Sequence, residues 1–370
     1  MKEINIAAVL ADKRREKGIT QEDLARYIGV SKASVSKWET AQSYPDITLL
    51  PLLATFFNIS IDELMGYTAQ MSKEDINELY KKLSFRFATE SFPNVLADCK
   101  KIINKYYSCF PLLLKMSILL INHYMMDENS EKQKAILGEA VELCFRIEKE
   151  SEDVWLSKEA VTIRAFCYLL LQQPQDALEL LGETIRPISM DEGIMAQSYQ
   201  MLGNTAKAEE VIQIQMYQHL MALIGSVPMY LLLNENDEKK VDEILRRSMA
   251  LKEIFDLDKL HPNTMAQIYF AAAQTYSNNK KYEEALEMLQ KYTDLCTKNF
   301  FPYSLHGDIF FNKIDGWLEE FDLGNSSPRN EKVIKESMLQ SVESNPAFRV
   351  LEEYPKYKNI LELLRQNNKS

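Results

Sequence analysis

Residues 20–39 read T-Q-E-D-L-A-R-Y-I-G-V-S-K-A-S-V-S-K-W-E, and they limit what this chain can fold into more than any other stretch. Two capped helices and the turn between them are spelled out there. Thr20 supplies an N-cap hydroxyl and Asp23 follows three residues later, a capping-box-like pair that opens a helix through Leu24, Ala25 and Ile28. Gly29 ends that helix, because a glycine just past a helix accepts the left-handed backbone other residues resist. Ser31 then caps the next one, so the connection is short and sharp.

In the second helix Val35 and Trp38 lie three apart and point inward, which leaves Lys32, Ala33, Ser36 and Lys37 facing away from the core. Such a face suits the major groove of DNA. Lysine donates to guanine O6 and N7, and a small alanine touches a thymine methyl. The rest of a small domain surrounds it. Ile6 and Leu10 share one face of a preceding helix; Leu53, Ala54 and Phe57 repeat at helical spacing after Pro45; Ile59, Ile61 and Leu64 close the unit. With Thr48 as N-cap, Pro51 falls in a first turn, where the missing amide has no intrahelical acceptor to lose.

On these motifs, residues 4–66 resemble the lambda-repressor and Cro type of helix-turn-helix, the xenobiotic-response-element family of bacterial regulators. The resemblance implies that Gln21, opening T-Q-x-x-L-A, anchors a phosphate. It implies that Lys32, Ala33, Ser36 and Lys37 read bases, and it makes Thr40 and Ser43 in the 40–45 loop further DNA-facing candidates. Arg14 and Glu39 occupy the places of a family ion pair, with a structural role because buried charges persist only when paired. The family often continues E-x-G, whereas this chain has Glu39-Thr40-Ala41. Lys13, Arg15 and Lys17 fit either a solvated helix face or phosphate contact.

The charge balance bears on how DNA would be held. Residues 1–66 carry 8 Lys plus Arg against 9 Asp plus Glu, a net −1, and the remainder of the −11 chain carries −10. An acidic bulk confines any contact with a double-stranded DNA operator to the N-terminal unit. A unit so weakly charged depends on local lysines and on pairing two half-sites about 34 Å apart, so a homodimer is expected.

Cys99, Cys109, Cys144, Cys167 and Cys296 form no C-x-x-C pair and sit among apolar residues, as reduced core thiols do. His123, His219, His261 and His306 lack zinc-site spacing, so neither metal nor cofactor is expected. The opening residues carry no secretory n-region, and the apolar stretch 110–122 is short and interrupted by Lys115. A reducing cytoplasm is the expected compartment, with no membrane partner. No G-x-S-x-G elbow, phosphate-cradling glycine loop, H-E-x-x-H or Cys–His arrangement points to an enzyme.

Beyond residue 66 the pattern is helical almost throughout. Ser72 and Asp75 open a connector helix through Ile76, Leu79, Tyr80 and Leu83 toward Phe87. An arrangement of Ala, Tyr three later and Ala nine after that occurs at Ala165, Tyr168 and Ala177, at Ala196, Tyr199 and Ala208, and at Ala273, Tyr276 and Ala285. Small residues there let paired antiparallel helices approach closely. The first two copies stand 31 residues apart and the last two 77, leaving room for a degenerate pair around Met229, Leu232 and Val241. A period near about 34 with these residues resembles tetratricopeptide repeats. Residues 86–150 and 305–365 read as helical pairs of the same general type.

The expected fold is therefore all-α: a helix-turn-helix bundle over 1–66, a linker helix over 67–90 and a tetratricopeptide-like α-solenoid over 91–370. In this register Phe166, Gln197, Gln200, Gln267, Phe270 and Gln274 face the concave side, where side-chain amides suit a peptide backbone. The domain order resembles the peptide-pheromone-responsive regulators of Gram-positive bacteria. That resemblance implies a sequence-specific DNA-binding regulator whose repeat domain dimerises and senses a peptide or other ligand. The alternative is a protein-interaction scaffold localised by its DNA-binding unit.

Overall fold

The structure is a computed structural model, and it describes residues 5–67, 70–182, 185, 188, 191–320, 325 and 327–369. No β-strand occurs among them. The N-terminal unit has five helices: α1 (Ile6–Glu16), α2 (Gln21–Ile28), α3 (Lys32–Glu39), α4 (Leu50–Phe57) and α5 (Ile61–Met65). Ile6, Leu10, Leu24, Ala25, Ile28, Val35, Trp38, Leu53, Ala54, Phe57 and Leu64 form one buried core. Ile61 is not part of it; it stands exposed at the start of α5.

The caps form as local chemistry dictates. The Thr20 hydroxyl accepts from the Asp23 amide at 3.2 Å while Asp23 Oδ2 accepts from the Thr20 amide at 3.1 Å. Gly29 closes α2 at φ 79°. One expected cap is replaced. Thr48 does not cap α4; its amide and hydroxyl donate to Asp46 Oδ1 at 2.9 and 2.5 Å, so Asp46 caps a short 3₁₀ turn over Ile47–Leu49. Aspartate reaches a free amide two residues on more readily than a threonine reaches along a proline-containing turn. Pro51 still falls in the first turn of α4.

Sixteen further helices follow: α6 (Lys73–Thr89), α7 (Phe92–Lys105), α8 (Phe110–His123), α9 (Ser130–Glu150), α10 (Val154–Leu170), α11 (Pro174–Leu181), α12 (Asp191–Met201), α13 (Thr205–Gly225), α14 (Val227–Leu233), α15 (Glu238–Phe255), α16 (Leu257–Leu260), α17 (Pro262–Asn278), α18 (Tyr282–Asp294), α19 (Asp315–Glu319), α20 (Glu331–Glu343) and α21 (Pro355–Lys369). The connector helix α6 is not a free spacer. Ile76, Tyr80, Leu83 and Phe87 are buried in one core with residues of α7 to α10. A second core runs from Tyr217 to Leu364, and between the two, α11 and α12 each bury a single residue, Ala177 and Ala196.

The repeated Ala–Tyr–Ala arrangement corresponds to one turn built three times. Its first alanine lies on α10, α12 or α17 and its last on α11, α13 or α18. The tyrosine carbonyl accepts from the amide five residues later: Gln173 to Tyr168 at 2.8 Å, Asn204 to Tyr199 at 2.9 Å and Lys281 to Tyr276 at 2.9 Å. The residue before each of those amides is left-handed, Gln172 at φ 61°, Gly203 at φ 78° and Lys280 at φ 62°. This is the Schellman closure, which satisfies orphan carbonyls at the helix end and reverses the chain. The α14–α15 turn has no left-handed residue, the feature its degenerate sequence lacks.

Residues 305–314, inside the expected helical pair over 305–365, form no helix. Asp308 Oδ1 accepts from the Phe310 and Phe311 amides at 2.8 and 2.7 Å, and Asp315 Oδ1 accepts from Gly307 at 2.6 Å. Side-chain acceptors of this kind compete with the helical backbone. A Cβ on Gly307 would lie 1.9 Å from the Phe311 carbonyl oxygen, so the loop closes only over a glycine. Farther on, the Pro328 carbonyl accepts from Tyr80 Oη at 3.0 Å and Ser84 Oγ at 3.2 Å, tying α6 to the segment before α20.

Ala273 is fully buried where α17 meets α18. Ala273→Leu is expected to cost about 1–3 kcal/mol through overpacking, seen as a lower melting temperature. Unchanged melting would show that the two helices do not depend on close approach.

Candidate functional site

Helix α3 is fixed before anything touches its outer face. The Ser31 hydroxyl accepts from Ser34 at 3.1 Å, and Val35 and Trp38 are buried. Arg14 grips the last residue of the helix with two parallel bonds, Nε to Glu39 Oε1 at 2.6 Å and Nη2 to Oε2 at 3.0 Å, while Nη1 donates to the Ile19 carbonyl at 2.8 Å. Gln21 Nε2 adds a third donor to Glu39, at 2.9 Å. Burial pushes the Glu39 carboxyl up, but the Arg14 and Gln21 bonds outweigh it and hold the group below its ordinary value. The Arg14 guanidinium moves up, chiefly through its bond to Glu39.

Lys32, Ala33 and Lys37 stand exposed on α3, and Ser36 is half-buried beside them. Lys32 makes only a loose contact with Glu22, at 3.9 Å. Gln21 sits half-buried at the start of α2, where free helical amides suit a phosphate, although its own amide group already serves Glu39. Thr40 donates its hydroxyl to the Ser36 carbonyl at 2.8 Å, and its amide bonds the same carbonyl. Ser43 is exposed, with its amide on the Lys37 carbonyl at 3.3 Å. Ala41 adopts φ 58°, which gives the physical reason a glycine suits that place in the E-x-G pattern.

The other basic residues of α1 and its C-cap are engaged locally. Lys13 contacts Glu16 and Glu63, Arg15 contacts Asp12, and Lys17 donates to the Phe56 carbonyl at 2.9 Å while lying over its ring. Two exposed side chains beside α3 carried no sequence signal, Gln42 and Tyr44. Their chance of meeting DNA depends on a loop whose path comes from the left-handed Ala41, and hydropathy does not report that.

In the helical region the six candidate groove residues separate. Gln267, Phe270 and Gln274 line a cavity of about 430 Å³ between α14, α17 and α20. Gln197 and Gln200 line a second, open concavity of about 630 Å³ between α12 and α13. Phe166 stands half-exposed on α10 and lines neither. Among the described residues no group of three or more His, Cys, Asp or Glu side chains is placed to hold a metal, and all five cysteines are buried thiols.

Residues 10–64 match the helix-turn-helix family model, a domain of the Cro and lambda-repressor type. A 57-residue stretch is 40% identical to the HTH-type transcriptional activator BcrR of Enterococcus faecalis, covering 15% of this chain and 28% of that protein. Among solved structures, apo ComR from S. thermophilus aligns over 79% of this chain and 93% of its own at 15% identity, TM-score 0.25. Bacillus thuringiensis PlcR in complex with the peptide PapR7 and DNA aligns over 99% and 95% at 14% identity, TM-score 0.21. Scores of this size establish no residue-by-residue correspondence.

The Glu39 network makes acid stability testable. A carboxyl held below its ordinary value of 4.5 contributes stability above that value and loses it as pH falls through the lowered one. Glu39→Ala is expected to cost about 3 kcal/mol by stranding Arg14 and to flatten the acid limb of a melting-temperature profile. A variant with unchanged stability at neutral pH would show that the pair does not hold α3.

Proposed function

We propose that the chain is a sequence-specific DNA-binding transcriptional regulator that acts as a homodimer and takes a peptide or other small ligand in its helical region. The observation that carries this reading is the outer face of α3. Lys32, Ala33, Ser36 and Lys37 are displayed on a helix locked at both ends, the arrangement base recognition requires.

Dimerisation is supported by charge and by surface. A unit with net charge −1 gains little from nonspecific phosphate attraction, so two recognition helices acting together supply the affinity. Residues 205–233 form a helical run long and apolar enough, by length and composition, to cross a membrane, and only 22% of its most apolar window is buried. On α13, Met216 and Leu223 share an exposed face. A second copy of the chain is the occupant we assign to that face. Ligand binding is supported by the amide-lined cavities of α12–α13 and α14–α17–α20 and by the resemblance in domain order.

Lys32→Ala and Lys37→Ala are each expected to weaken binding to DNA from upstream of the chain's own gene by about 1–3 kcal/mol where the lysine reads a base, measured by fluorescence anisotropy. Full affinity in both variants would remove the assignment. In light scattering the wild type is expected to run as a dimer and Met216→Glu with Leu223→Glu as a monomer with weakened operator binding. A dimeric double variant would move the interface elsewhere.

A further inference from the structure

The cavity between α14, α17 and α20 holds one charged side chain, Arg329, and no acidic one. Arg329 is half-buried. Its side chain makes one marginal bond, Nη1 to Ser337 Oγ at 3.4 Å, and among the described residues no carboxylate pairs with it. Burial pulls its pKa below the ordinary guanidinium value, with only the Tyr80 phenol opposing. Two more deeply buried arginines differ in this respect, whereas half-buried Arg146 lies over the Tyr107 ring. Arg14 has Glu39, and Arg164 has Glu148 at 2.8 Å. A half-buried guanidinium beside an apolar wall and without a carboxylate partner suits an anion, because an oppositely charged group offsets its lost hydration.

The opposite wall says what kind of molecule carries that anion. Asn263, Gln267, Phe270 and Gln274 fall at i, i+4, i+7 and i+11 along α17, so three side-chain amides and one ring share a face. Gln274 Oε1 already accepts from Asn345 Nδ2 at 3.3 Å, so its NH₂ group and the full amides of Asn263 and Gln267 match the alternating C=O and N–H groups of an extended backbone. A fatty acid offers nothing to such a row, and an isolated anion leaves it unused.

We propose that Arg329 holds the C-terminal carboxylate of a short linear peptide whose backbone lies along the amide row of α17. This rests on the ligand-binding reading above and narrows it to a peptide with a free C-terminus, oriented with that end toward α20. A planar guanidinium receives a carboxylate through two parallel bonds, which fixes direction as well as charge.

The test uses the full-length protein and a pooled synthetic library of random hexapeptides with free C-termini. Peptides retained with the protein through size exclusion are identified by mass spectrometry. Each is remade as the acid and as the C-terminal carboxamide, and both forms are titrated calorimetrically into wild type, Arg329→Gln and Arg329→Lys. Amidation is expected to weaken binding to wild type by about tenfold or more, the scale of a charge-assisted bidentate pair. Arg329→Gln is expected to bind both forms at the carboxamide's level, and Arg329→Lys to keep part of the preference. The wild-type comparison stands even if a variant folds poorly. Equal binding of acid and carboxamide by wild type overturns the Arg329 assignment and leaves peptide binding intact. Discrimination that survives in a folded Arg329→Gln also overturns it. Retention of no hexapeptide overturns the peptide reading and the proposal with it.

Discussion

Everything the N-terminal unit displays at its surface rests on the Glu39 carboxylate being gripped from two other helices at once. Arg14 reaches it from α1 and Gln21 from α2, so one anion at the end of α3 fixes three helices in a common frame. The pair is short-range, bidentate and withdrawn from water, the conditions under which an ion pair orients as well as attracts. Because Glu39 is satisfied internally, Lys32 and Lys37 remain the exposed basic groups of α3. The scaffold charges and the surface charges are separated by burial.

A second constraint organises the rest of the chain. Three Schellman closures reverse the backbone after α10, α12 and α17, and alanines on either side of each turn set how near the paired helices lie. Repetition of one turn gives the array of helix pairs a common connection. The helix that follows the unit, α6, buries one side in the array, and its Tyr80 and Ser84 bond to Pro328, the residue next to Arg329. A change at the α17–α20 cavity therefore lies one residue from a contact to the helix leading into the DNA unit.

Where the physical cause was local, the sequence was legible. Thr20, Asp23, Gly29 and Ser31 act within three or four residues of themselves, and they mark α2, the turn and α3 to the residue. The Ala–Tyr–Ala spacing located three real turns for the same reason. Legibility failed where two local acceptors compete, as at Asp46 against Thr48 and at Asp308 within 305–314. It failed again at the groove residues. Gln197 and Gln267 look alike in a helical repeat, and only the path of α11 through α16 decides that they line different concavities.

By itself, then, the sequence determined an all-helical chain, the helix-turn-helix unit with its outward residues, and a repeat built on small and aromatic side chains. Caps, left-handed turns and amphipathic faces are set by neighbours along the chain, and neighbours along the chain are what a sequence records. Tertiary structure alone decided that Gln21 serves Glu39, that Lys17 serves Phe56, that α6 is part of a core, and that Arg329 faces an amide-lined cavity with no acid of its own. Those outcomes depend on which distant segments share a space, and a guanidinium's partner or lack of one is settled by approach in three dimensions.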